Sequence, residues 1–215
     1  MTSPRFPYDY RHIGKTSAMS ENRMDKLLSY LRAVGEEQAL AADTILFRQG
    51  ARPRYFYWLL SGELRLIRHS KNGEQVVLQR CRNGPFAEAS AFSSSYHCDG
   101  VTLQPSQLLR VGLLDFHAML EDPGFAPTYV RLLSREVRQL RSRCERLSIS
   151  RAEDRVMHYL AEKETVRFGP DCGTLKDWAG ELGMTHETLY RTLTALERKR
   201  AIVRGSNSVS LPEPS

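Results

Sequence analysis

Paired cysteines are missing from this sequence. Four cysteines occur in 215 residues, Cys81, Cys98, Cys144 and Cys172, widely spaced and without a C-x-x-C pair. That pattern excludes a disulfide framework, and reduced thiols are expected. Long apolar runs are also missing. YFYWLL (55–60) is about the longest, far short of a membrane span, and reads as a strand. The first twenty residues contain no hydrophobic segment of the kind a secretory signal needs, so a loosely ordered arm over residues 1–21 and a cytoplasmic location are expected. What remains is ordinary for a globular protein, at 41% hydrophobic and 26% charged residues. The net charge of +6 permits a nucleic-acid partner without requiring one. From Ile149 onward acids and bases nearly balance, so local placement has to carry that question.

Three regimes follow one another. NRMDKLLSYLRAV (22–34) reads as a helix with Met24, Leu27, Leu28 and Leu31 on one face. From about Thr44 to Leu114 short β-type runs alternate with turn residues, including Ser61-Gly62 and Asn72-Gly73 between apolar stretches. Strands this short and regular imply an antiparallel roll occupying 22–121. A helix is then expected to start at Asp122-Pro123 and to run to 148. Along it Ala126, Val130, Leu133, Val137, Leu140, Cys144 and Leu147 recur at alternating steps of four and three. The opposite faces are rich in Arg and Glu. One long helix lying on its own domain would show an apolar stripe too, but a broad one. A stripe this narrow favours the seam of a parallel homodimer. In that seam Cys144 lies near its own twin and packs as a small hydrophobe. The third regime, 149–215, restarts with SRAEDRVMHYLAEK, a helix expected to carry a serine N-cap.

TLKDWAGELGMTHETLYRTLTALERKRAIV (174–203) carries the most specific pattern. Thr174 is expected to cap a helix that turns Leu175, Trp178, Ala179 and Leu182 inward. Gly183 takes the turn, where a positive φ is often needed, and Thr185 caps a second helix that buries Leu189, Leu193 and Leu196. This is the spacing of a DNA-binding helix-turn-helix. The exposed start of the second helix presents His186, Glu187, Tyr190 and Arg191. An arginine there can fork onto guanine O6 and N7, and a glutamate can accept from cytosine N4. Elsewhere Glu187 and Arg191, four apart, would be a solvated ion pair. AIVRGSNSVSL (201–211) reads as a hairpin, a wing with Arg204 and its basic neighbours Arg198, Lys199 and Arg200 suited to phosphate contact.

A β-roll, a long seam helix and a winged helix-turn-helix, in that order, resemble the Crp/Fnr family of bacterial transcription regulators. The resemblance runs from about Asn22 to Leu211 and is most specific in LKDWAGELGMTHETLYRTL. It implies an α+β fold, a homodimer on palindromic double-stranded DNA, RNA polymerase as a further partner of an activator, and no enzymatic activity. Glu187 and Arg191 would read bases, with Thr185, Thr188 and Arg204 close to the backbone. Tyr190 departs from the small residue or serine common at its position.

The same resemblance frames PFAEASAF (85–92) as the effector cradle. Ala87 replaces the family's glycine, while Glu88 is kept and Ser90 follows it. Cys98-Asp99 falls where members that bind a cyclic nucleotide carry arginine-serine. A thiol cannot replace a phosphate-binding guanidinium, and Asp99 is expected to repel an anion, so cAMP bound in the usual mode is not expected. No cysteine precedes Cys81, which excludes an iron–sulfur cluster held by an N-terminal cysteine arm. A metal or haem on His97 and Cys98, a thiol switch, another small molecule, or no ligand all stay open. Strand alternation places His97 with Asp99 and Cys98 on the opposite face, which works against a shared metal site. A thiol or metal enzyme using His97 and Cys98 would also need an oxyanion site that no other part of the chain supplies.

Overall fold

The computed structural model describes residues 21–69, 75–169 and 172–212. Residues 1–20 of the expected arm and the Asn72-Gly73 turn lie outside the described residues. The chain divides into two compact units at Arg131/Leu132. No helix among the described residues is long and apolar enough to cross a membrane.

The first unit opens with α1 (Glu21–Val34), whose Leu27 and Leu31 are fully buried. Eight strands follow: β1 (Glu36–Leu40), β2 (Ile45–Phe47), β3 (Tyr55–Ser61), β4 (Leu64–His69), β5 (Gln75–Cys81), β6 (Gly84–Phe86), β7 (Asp99–Thr102) and β8 (Ser106–Gly112). They form two four-stranded sheets, ordered β1-β8-β3-β6 and β2-β7-β4-β5, with every pairing antiparallel. This is the expected roll. β3 reads as an unbroken apolar run because both its faces are covered. Tyr57 and Leu59 face the roll interior with Phe47, Leu64, Leu66, Phe86 and Cys98. On its other face Phe56 stacks on Phe116 of α2 (Leu113–Leu120), with ring centroids 4.2 Å apart. Phe125 and Tyr129 complete that aromatic cluster.

The long helix α3 spans Ala126–Ser148, starting three residues after Pro123. The Asp122 carboxylate accepts from the amides of Gly124 and Phe125 at 2.6 and 3.0 Å. The Asp-Pro pair therefore shapes the turn that precedes the helix.

The second unit contains the rest of α3, then α4 (Ala152–Lys163), β9 (Thr165–Arg167), α5 (Leu175–Glu181), α6 (His186–Arg198), β10 (Val203–Arg204) and β11 (Ser208–Ser210). The serine cap expected for α4 is absent. Arg151 is the N-cap and makes no side-chain capping bond, while Glu153 and Asp154 place negative charge on the first turn. The wing is larger than its hairpin, since β9 adds a third strand to give the order β10-β11-β9. A core of Val156, Leu160, Trp178, Leu182, Leu189, Leu193, Leu196 and Val209 holds these elements together. Beside it the Arg146 guanidinium and the Ser142 hydroxyl both bond the buried Glu162 carboxylate, at 3.2 and 2.6 Å. Burial opposes the Glu162 charge, yet Ser142, Lys163 and Arg146 together hold its pKa below the usual range. This pair ties the last turns of α3 to α4.

Gly62 makes the turn between β3 and β4 at φ +100°, and a Cβ there would sit 2.6 Å from the Ser106 Cα. Backbone strain and backbone contact oppose a side chain together. Gly62→Ala is expected to destabilise the chain by more than about 1 kcal/mol, measured by denaturant unfolding. An unchanged midpoint would refute this account of the turn.

Candidate nucleic-acid interface and effector cradle

α5 and α6 start where hydroxyl caps dictate. Thr174 and Asp177 form a reciprocal capping box: the Asp177 amide donates to Thr174 Oγ1 at 3.2 Å and the Thr174 amide to the Asp177 carboxylate at 3.0 Å. Thr185 caps α6, accepting from the Thr188 amide at 3.2 Å, and the two hydroxyls lie 2.9 Å apart. Between the helices Gly183 adopts φ +62°, and a Cβ would meet Leu147 at 2.6 Å. Arg155, which the sequence pattern did not single out, fastens this turn. Its Nη1 donates to the carbonyls of Leu182 and Gly183 at 3.1 and 3.0 Å. With Ala179, Leu182, Leu189, Leu193 and Leu196 all buried, the relative setting of the two helices is fixed from beneath.

The outer face of α6 is left to solvent. His186, Glu187, Tyr190 and Arg191 are exposed and Thr188 is half-buried. Among the described residues no ion pair joins Glu187 to Arg191, so neither charge is neutralised by the other. Arg204, on the wing strand β10, lies over the Tyr190 ring at 5.4 Å and reaches the Glu197 carboxylate at 3.5 Å. The wing arginine is thus poised beside the exposed face of α6. Of the other basic residues, Lys199 is held by Glu153 at 2.7 Å, while Arg198 and Arg200 are exposed.

The apolar stripe of α3 is likewise uncovered. Val130, Val137, Leu140 and Leu147 are between 41% and 59% exposed, Cys144 is exposed and Leu133 is half-buried. The residues that α3 does bury, Tyr129, Leu132 and Arg146, lie off the stripe. Leu147 also packs against Gly183, so the last stripe position touches the turn between α5 and α6.

In the roll, Ala87 keeps the left-handed conformation of the glycine it replaces, at φ +56°. That costs a non-glycine residue roughly 1 kcal/mol or more. A 3-10 turn follows over Glu88–Phe92. Glu88 Oε2 and Ser90 Oγ are both buried without a hydrogen-bond partner. Burial pushes the Glu88 pKa up, against smaller lowering effects from its own amide, Gln79 and His97.

His97, Cys98 and Asp99 do not converge. His97 is exposed and Cys98 fully buried in the roll core; both lie in a bend just before β7, which starts at Asp99. Burial pushes the Cys98 thiol up, only partly offset by Arg68, so it stays neutral. Among the described residues no three His, Cys, Asp or Glu side chains gather as metal ligands. In this bend the two side chains take opposite surroundings, His97 solvent and Cys98 the core, so they do not meet at one site. Asp99 begins β7. Its carboxylate accepts from the Gln49 amide at 2.6 Å and faces His69 at 4.0 Å, so it anchors the chain after β2.

Known proteins agree with this architecture. Residues 37–122 match the family model described as the cyclic nucleotide-binding domain. The chain is 26% identical over 172 residues to the cyclic AMP receptor protein of Thermus thermophilus, covering 78% of this chain and 80% of that protein. Among solved structures, a CooA mutant from Carboxydothermus hydrogenoformans superposes with a TM-score of 0.66 at 16% identity, covering 92% of this chain and 94% of that one. FixK2 from Bradyrhizobium japonicum gives a TM-score of 0.60 at 17% identity, over 84% and 93%. The chain carries a cyclic nucleotide-binding domain in its first unit and, taken whole, has the two-domain fold of the Crp/Fnr regulators.

Proposed function

We propose that the protein is a homodimeric, sequence-specific DNA-binding transcription regulator whose β-roll senses an effector. The observation that carries this reading is the outer face of α6. Its N-terminal turns present an unpaired glutamate and arginine on a helix whose inner face is rigidly packed. Such a helix fits the major groove. Glu187 would accept from cytosine and Arg191 would fork onto guanine, while Thr185, His186, Thr188, Tyr190 and Arg204 contact neighbouring bases and backbone. RNA polymerase would be a partner of an activating form. The α3 stripe supports the dimer, because several large apolar side chains at heptad spacing lie uncovered in one copy. The corresponding division is a sensor roll over 22–121, a dimer helix over 122–148 and a DNA-binding domain over 149–215. No catalytic role is assigned to any residue.

The effector is something other than cAMP in the family's usual mode, since Cys98 stands where the phosphate-binding guanidinium would. The neutral, core-facing Cys98 thiol and the outward His97 supply neither a haem ligand pair nor an activated nucleophile.

Two outcomes check the reading. Arg191→Ala is expected to weaken binding to the preferred site by about 1–3 kcal/mol and to relax the base preference at one position of each half-site. Electrophoretic titration against matched and substituted duplexes measures both, and equal affinity for all of them would sink base reading by α6. Leu140→Asp places charge on an exposed stripe position and should leave the fold of one chain intact. Sedimentation equilibrium should then find monomers where the wild type is dimeric; a dimer of unchanged strength would show that the stripe is not the seam.

A further inference from the structure

One side chain of α4 touches both the seam helix and the helix-turn-helix. Tyr159 is half-buried, and the Arg146 guanidinium of α3 sits over its ring, 4.6 Å from the centroid. Its hydroxyl donates at 2.8 Å to the carboxylate of Glu181, the last residue of α5. Trp178, nearly one turn earlier on α5, packs against the same ring with centroids 5.6 Å apart. Burial first, and then the Glu181 charge, push the Tyr159 pKa up. The hydroxyl therefore keeps its proton and stays a donor.

Both ends of this link are themselves held. Arg146 bonds the buried Glu162 carboxylate at 3.2 Å, to which Ser142, one turn earlier on α3, also donates. Past Glu181 the chain enters the turn whose Leu182 and Gly183 carbonyls accept from Arg155. The Met184 amide closes that turn on the Ala179 carbonyl at 3.0 Å, and Ala179, Leu182 and Leu189 share one core. α5 and α6 are thus joined as a unit. Two contacts tie it to the end of α3: Leu147 against Gly183, and Arg146 through Tyr159 to Glu181. The first is apolar and has no preferred direction. The second is directional at both steps, because a cation seeks the ring face and a hydroxyl points at its acceptor. In a dimer built on the α3 stripe the two-fold axis runs along this helix. Any turn of α5 and α6 against α3 then shifts the two recognition helices in opposite senses.

We propose that Tyr159 is a positioning residue for DNA reading: held between Arg146 and Glu181, it sets the angle of α6 to α3 and so the half-site separation that the dimer accepts. This rests on the regulator reading and deepens it. Tyr159 touches no base. It acts through α5, and its effect is on the register of two half-sites rather than on the contacts within one.

The test uses the full chain and duplexes carrying its selected site, with the spacer unchanged or altered by one or two base pairs, beside a duplex carrying one half-site. Wild type should bind the unaltered spacing best and lose affinity on either side of it. Tyr159→Phe removes only the hydroxyl. It should weaken binding at the preferred spacing by about three- to tenfold, flatten the spacing profile and leave half-site affinity unchanged. Glu181→Ala, at an exposed position, should do the same. The double variant should be no worse than either single one, since both cut one link. A purely structural role would lower thermal stability and weaken half-site and full-site binding together. That result, or a Tyr159→Phe profile identical to wild type, overturns the proposal while the regulator reading stands. A wild type that binds no site specifically removes both.

Discussion

The arrangement depends on how one helix distributes its surface. α3 begins against the aromatic cluster of Phe56, Phe116 and Phe125, to which Tyr129 contributes. It ends on the buried Arg146–Glu162 pair. Between these anchors a heptad stripe remains uncovered. The helix is thus fixed at its two ends by different means, with the exposed apolar stripe between. The two fixings differ in physical kind. The aromatic cluster is held by ring packing, with Phe56 and Phe116 stacked and Tyr129 edge-on to both. The ion pair is buried, bonded on several sides and costly to break, because a lone buried charge would remain.

The α5–α6 region is legible from sequence because each of its parts obeys a local rule. Thr174 and Thr185 cap, Gly183 takes the positive φ, and Leu189, Leu193 and Leu196 repeat at helical spacing. Those rules act within a few residues, so one sequence displays them directly. The features that escaped are long-range. β9 is three residues long and gains its identity only by pairing with β11. Arg155 reaches the turn from a different helix. The serine cap of α4 failed because Arg151 took the N-cap and the first-turn acids supply the charge complement.

The cradle is less legible, because the surroundings of residues 97–99 are set by the bend that leads into β7 and by contacts distant in sequence. From sequence, His97, Cys98 and Asp99 form one group. In the structure each has separate company: His97 solvent, Cys98 the core, Asp99 the Gln49 amide. Ala87 precedes the 3-10 turn of the cradle. It retains a glycine-like backbone at an energetic cost, and such strain persists where the surrounding structure imposes it.

The central claim is that two copies of α6 read DNA together. Selection of bound duplexes from a random pool by the unmodified full-length chain tests it most directly. The account predicts enrichment of a two-fold symmetric sequence with half-site centres about one helical turn, roughly 10 base pairs, apart. Recovery of an unenriched pool, or of a single asymmetric site bound by one chain, would contradict it.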